Sequence, residues 1–201
     1  ITAVEGSNRV SGVTAAPFAD DGSLNLAKQF HLGCDTILLS VGLVPENELT
    51  RGIGAEIDLS TGGPYVDEDL MTSIPGLFAC GNVLQVHDLA DMASEEAERA
   101  GLAAALYTEG WNSSNGLIIS VTPGRGVRFT VPQRLTGTKS AVMSLRPSQP
   151  MEKARISVSD RTGTIYFTKN IKNAHPSEMI QFLLKLPWDI PRNTELEVHC
   201  E

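Results

Sequence analysis

The sequence predicts a mixed α/β chain whose second half is strand-rich and interrupted by one short helix. Three observations lead there. Turn-punctuated segments with strand character open the chain at residues 1–5, 9–18 and 24–32. One long amphipathic stretch follows near residues 88–109, with Leu89, Met92, Ala93, Ala97, Ala100, Ala104 and Tyr107 at helical spacing. From residue 117 onward, short apolar segments recur between turn residues, again in the manner of strands.

Charge divides the chain along the same line. Of 201 residues, 16 are basic and 24 acidic, a net −8. Residues 1–109 hold 4 bases against 17 acids, −13, and residues 110–201 hold 12 bases against 7 acids, +5. The expectation is two modules of about 100 residues each, which attract one another or meet partners of opposite charge. With 41% hydrophobic and 20% charged residues the chain reads as globular, not disordered.

In the first half, Gly6-Ser7-Asn8 and Asp20-Asp21-Gly22 carry turn chemistry, so the first three strands should form a meander. Residues 34–42 (CDTILLSVG) make a continuous apolar run closed by glycine, the text of a parallel-sheet strand buried on both faces. A polar stretch, 45–69, is punctuated by Gly52, Gly54, Gly62, Gly63 and Pro64. The turn Ile74-Pro75-Gly76 and a short strand at 77–80 then lead to Gly81-Asn82.

Asp88 is the expected N-cap of the long helix, with Asp91 at its third position. Glu95, Glu96 and Glu98 read as the solvated face. Residues 112–116 read as a linker. Strands are expected at 117–121, 127–131, 139–146, 154–159, 164–168 and 195–200. The short helix should start at His175 as cap, with Pro176 first and Glu178 third, and run over 179–185 until Pro187 stops it.

Several function classes are disfavoured. No apolar run approaches the roughly 18–20 residues of a membrane span. No basic-then-apolar leader opens the chain, which makes the cytoplasm the expected compartment. Cys34, Cys80 and Cys200 form no CxxC pair, and His31, His87, His175 and His199 lack ligand spacing, so neither a disulfide framework nor a metal centre is expected. Arg125, Arg128 and Arg134 are interleaved with Phe129 alone, too little for a nucleic-acid surface. Cys80 reads as a small buried strand residue and His87 as loop surface.

Two segments point further. Residues 34–47 (CDTILLSVGLVPEN) and 72–83 (TSIPGLFACGNV), with the Ala/Gly-rich helix after them, resemble the pyridine nucleotide-disulfide oxidoreductase superfamily. Within it, Gly81-Asn82 resembles the branch of amine, opine and cyanide-forming dehydrogenase alpha subunits. The resemblance implies a partial FAD/NAD(P)-binding, two-dinucleotide-binding-domain flavoprotein fold followed by the strand-rich domain. Residues 1–43 would end the NAD(P)-binding domain, 44–111 would be the C-terminal half of the FAD-binding domain, and 117–201 the appended domain.

It also implies FAD and NAD(P) as cofactors of the intact protein. Gly81, Asn82 and Val83 would hold the ribityl–flavin region, while the backbone of Asp91, Met92 and Ala93 would face the pyrimidine edge. Asn82 stands where the family more often has Asp, which keeps an acceptor and loses charge assistance. No residue is assigned a catalytic role. The strand-rich domain would meet an electron-transfer or dehydrogenase subunit, or a second copy.

No G-x-G-x-x-G phosphate loop occurs in the chain, and Gly124-Arg125-Gly126 sits in strand-like text without a following helix. With Ile1 as the first residue, the expectation is that further residues precede it, and that this chain alone holds FAD poorly. A rival reading stays open at this level: a non-catalytic interaction module that retains part of the scaffold.

Overall fold

A computed structural model describes residues 1–19, 21–40, 42–110, 117–137 and 140–201. They divide into two units, Ile1–Gly42 and Leu43–Glu201. The expected linker at 112–116 lies outside the described residues, as does Lys139, the first residue of one expected strand.

The first unit is an antiparallel meander of β1 (Ala3–Glu5), β2 (Gly12–Ala15) and β3 (Phe30–Gly33), in that order. Ala3 stands opposite Thr14, and Thr14 opposite His31. The third segment is shorter than expected, because Leu26–Lys28 forms a single 3-10 turn before β3. The doubly buried strand at 34–42 does not form among the described residues. Leu38 and Leu39 are 92% and 81% exposed. A parallel strand exists only through ladder partners along its edges. The three meander strands pair with each other, and no described residue pairs with 36–40.

The second unit opens with little regular structure. The short helix α1 (Glu48–Gly52) is followed by the bridges Ile57–Pro64, Val66–Thr72 and Met71–Phe78. The expected strand at 77–80 is reduced to that last bridge and the bond from Ala79 N–H to the Leu70 carbonyl. The long helix α2 spans Ala90–Thr108, close to its expected position.

Paired strands follow: β4 (Ile119–Pro123), β5 (Val127–Val131), β6 (Arg134–Leu135), β7 (Ala141–Pro147), β8 (Met151–Glu152), β9 (Arg155–Asp160), β10 (Ile165–Asn170), β11 (Asn173–Ala174), β12 (Ile180–Leu184) and β13 (Glu195–Cys200). One sheet runs β10-β9-β13-β4-β6, a second β12-β7-β5, and β11-β8 is a separate pair. Among the described residues only β13 and β4 pair in parallel, with Glu195 opposite Ser120.

Period-two alternation builds the main core. Leu196, Val198 and Cys200 of β13, Ile156 and Val158 of β9, and Met143 and Leu145 of β7 are fully buried. The helix expected over 179–185 is instead the strand β12. Ile180 pairs with Leu145 and Leu184 with Ala141, which turns Phe182 and Leu184 into the core. Phe182 stacks on Phe167 with ring centroids 4.5 Å apart. So short a segment has little helical stability of its own, and the sheet decides its state. Of the expected helix start, only the bond from Glu178 N–H to the His175 carbonyl remains, as a turn.

A smaller core joins residues 43–110 to the strands. Val66, Leu70, Ala79, Leu84 and Ala100 pack with Phe129 and Val131 of β5. Buried Gln133 spans the same junction. Its amide donates to Asp58 (2.9 Å), and its oxygen accepts from Val66 N–H (3.1 Å). Among the described residues no helix is long and apolar enough to cross a membrane.

Candidate functional site

The site grows from one turn. Cys80 is extended, and Gly81–Val83 then makes a single 3-10 turn whose Gly81 carbonyl accepts from Leu84 N–H at 2.9 Å and Gln85 N–H at 3.1 Å. Gly81 has φ +71, a left-handed conformation that side chains with a Cβ disfavour. Nothing lies within 4 Å of the place a Cβ would occupy, so the turn is open on that side.

Neighbouring residues brace it. Buried Asn47 donates through Nδ2 to the carbonyls of Val83 (2.8 Å) and Gly62 (2.9 Å). Leu84 presses so closely on Gly63 that a Cβ there would stand 1.9 Å from the Leu84 carbonyl oxygen. The side chain of Asn82 is exposed, and its Oδ1 accepts from His87 N–H at 3.1 Å. That bond leaves the Asn82 amide hydrogens free of the His87 contact.

The most consequential group is Glu96. It belongs to the acidic run expected on the solvated face of α2, yet it is 1% exposed. Its Oε1 accepts from Gly81 N–H (2.7 Å) and contacts His87 Nε2 (3.0 Å), and its Oε2 accepts from the Gln85 amide (2.8 Å). The reason is angular. Glu96 stands three residues after Ala93 and four before Ala100, in the middle of the helix's inward stripe. Apolar periodicity alone overlooked it; a polar residue at an inward position was the available signal.

His87 is corrected with it. Expected at the surface, it is buried against Glu96. With its hydrogen on Nε2 the ring donates to that carboxylate. Three buried atoms around this segment have no hydrogen-bond partner: Asn47 Oδ1, Gln85 Oε1 and His87 Nδ1.

Asp88 does not cap α2. Leu89 is the N-cap residue, in extended conformation, and no side chain caps the helix. The Asp88 carboxylate turns instead to Arg146 of β7, with Oδ1 at 2.7 Å from Nη2, and to Met179 N–H, at 2.5 Å from Oδ2. Of the helix residues expected near a cofactor, Asp91 is exposed while Met92 and Ala93 are half-buried. Thus Gly81, Asn82 and Val83 share one turn, and Glu96 ties that turn to α2 one helical turn beyond Met92 and Ala93.

Cys80, half-buried, is not set up as a thiolate nucleophile. Burial pushes its thiol up, and the nearby Glu96 carboxylate adds to the effect. Burial lowers the Arg99 guanidinium, while Glu96 and then Glu95 oppose that shift. No group of His, Cys, Asp and Glu side chains able to hold a metal occurs among the described residues.

Residues 2–97 match the family model for pyridine nucleotide-disulphide oxidoreductases. That match supports the superfamily for this segment, 96 of the 201 residues. No curated protein and no solved structure matches the chain.

Proposed function

We propose that this chain contributes the flavin-facing turn and helix of an FAD- and NAD(P)-dependent oxidoreductase. The observation that carries the reading is the Gly81–Val83 turn, bound to α2 by Glu96 and followed by a helix end without a side-chain cap. It lies inside the segment that matches the family model.

The donor set suits the polar edge of a flavin. The first-turn N–H groups of α2 have no side-chain acceptor, and their partial positive charge favours an electron-rich carbonyl edge. Asn82 supplies an exposed amide for a ribityl hydroxyl, and the open side of Gly81 lets a ligand approach the backbone. Gly81, Asn82 and Val83 would hold the ribityl region; the backbone of Asp91, Met92 and Ala93 would face the pyrimidine edge. When bound, FAD supplies hydride acceptance from NAD(P)H and electron delivery to an acceptor. The residues of this chain bind and orient it; none is assigned a proton transfer or a nucleophilic role.

The Gly81-Asn82 pair favours the amine, opine and cyanide-forming dehydrogenase branch, whose members often work with a separate electron-transfer or dehydrogenase subunit. The acceptor would then be flavin-linked, and the strand-rich part would offer the docking or dimerisation surface. Because the sequence holds no G-x-G-x-x-G loop, the pyrophosphate contacts are assigned to none of its residues.

The test is anaerobic reduction of the purified intact protein. Flavin absorbance that bleaches on adding NADH or NADPH supports the reading. A colourless protein that takes up no added FAD contradicts it and favours the non-catalytic interaction module.

A further inference from the structure

Residues 81–88, which connect the turn to α2, are held from two sides. Glu96 takes Gly81, Gln85 and His87, while Arg146 takes the two residues between and after them: Nη2 donates to the Val86 carbonyl (3.1 Å) and to Asp88 Oδ1 (2.7 Å). Arg146 also donates through Nη1 to the Pro176 carbonyl (3.0 Å), and its guanidinium lies 5.9 Å from the Phe129 ring centroid. Its side chain is only 10% exposed, so this is a built contact and not a surface ion pair.

The placement of Asp88 is the informative feature. An aspartate one residue before the N-cap lies within reach of first-turn N–H groups, and its charge is favoured at that end. Here both carboxylate oxygens are engaged by strand-rich residues, Arg146 and Met179, and α2 is left uncapped. Those are the N–H groups the flavin reading needs.

We propose, resting on that reading, that Arg146 is a positioning residue for the cofactor. It draws Asp88 away from the N-terminus of α2 and neutralises it, so that the first-turn N–H groups stay available to a ligand acceptor. The strand-rich part is then a working component of the flavin site as well as a docking surface.

The test compares Arg146→Met, Asp88→Ala and the double variant in the intact protein, by FAD titration and by amide NMR of the cofactor-free form. Arg146→Met should weaken FAD binding about tenfold, the size of a charge effect at a helix end. The Asp91 and Met92 amide signals should shift as Asp88 caps the helix. Adding Asp88→Ala should return those signals and recover most of the FAD affinity. A merely structural Arg146 predicts a double variant no better than the single one, and that result would overturn the proposal.

Should Arg146→Met fail to fold, Asp88→Ala decides. It should bind FAD at least as tightly as the parent, and a tenfold loss would sink the idea. Parent-like amide signals in folded Arg146→Met would also overturn it. If the parent takes up no FAD while the amide signals behave as expected, the flavin reading fails and the hold of Arg146 on Asp88 stands.

Discussion

Glu96 Oε1 lies 3.0 Å from His87 Nε2, with the two side chains 1% and 2% exposed. The same carboxylate also receives Gly81 N–H and the Gln85 amide, so one buried acid satisfies three donors. Glu96→Ala would leave all three without their acceptor, and unmade buried hydrogen bonds cost about 1–3 kcal/mol each. We expect a loss of about 3 kcal/mol in urea unfolding, after partial relaxation. Glu96→Gln should cost less. It keeps one acceptor oxygen, and Gln85 can reorient to offer its unpartnered Oε1 to the new amide.

Two glycines separate steric from conformational cost. Gly63→Ala would place a Cβ 1.9 Å from the Leu84 carbonyl oxygen, so backbone must move, at about 3 kcal/mol. Gly81→Ala meets open space and has only its φ of +71 against it, about 1 kcal/mol. Unfolding midpoints of the two variants check the order, and equal losses would contradict it.

Asp160 provides a pH prediction. The Thr162 hydroxyl, assisted by Thr164 N–H and the Tyr166 hydroxyl, holds its carboxyl well down, at about 2. The folded value lies below the unfolded one, near 3.9. The stabilisation is therefore complete above about pH 5 and is lost as pH falls toward 2. A carboxyl NMR titration should place the Asp160 midpoint near 2, and Thr162→Ala should raise it. A midpoint in the ordinary range would contradict the hydrogen-bond account.

The Cys80 thiol should alkylate slowly at neutral pH, because burial and then Glu96 disfavour its thiolate. Glu96→Gln removes the charge contribution and should speed labelling, as mass spectrometry of the modified peptide would show. Labelling at an unchanged rate would remove Glu96 as a cause.

Buried Asp67 tests the reverse sign. Burial raises its carboxyl despite the N–H groups of Met71 and Asp69, so its contribution is present at low pH and lost as pH rises through the folded value. Asp67→Asn keeps an acceptor for both N–H groups. It should match or exceed the parent in stability at neutral pH, measured by thermal unfolding.

What was legible in the sequence follows from range. Helix α2 was visible because Met92, Ala93, Ala100 and Ala104 repeat at its own local period, and the meander because its turns are local. Strand β12 has the local text of a helix because its five residues have no decisive period, and pairing with β7, about 40 positions earlier, settles its state. Residues 34–42 carry strand composition, but those of them that the structure describes have no ladder partner among the described residues. Within the site, Gly81, Asn82 and Val83 could be singled out from their text. Glu96 is marked only as a polar residue on the inward stripe of α2, and Arg146 not at all, since the turn and connector they hold lie 9–15 and 58–60 residues away along the chain.

The most direct measurement is the FAD content of the purified intact protein and of its Asn82→Leu variant, read from flavin absorbance after gel filtration. A flavin on the Gly81–Val83 turn predicts that the parent carries FAD and that Asn82→Leu, folded to the same degree, retains less. Equal flavin content in the two, or a parent that takes up none, would contradict it.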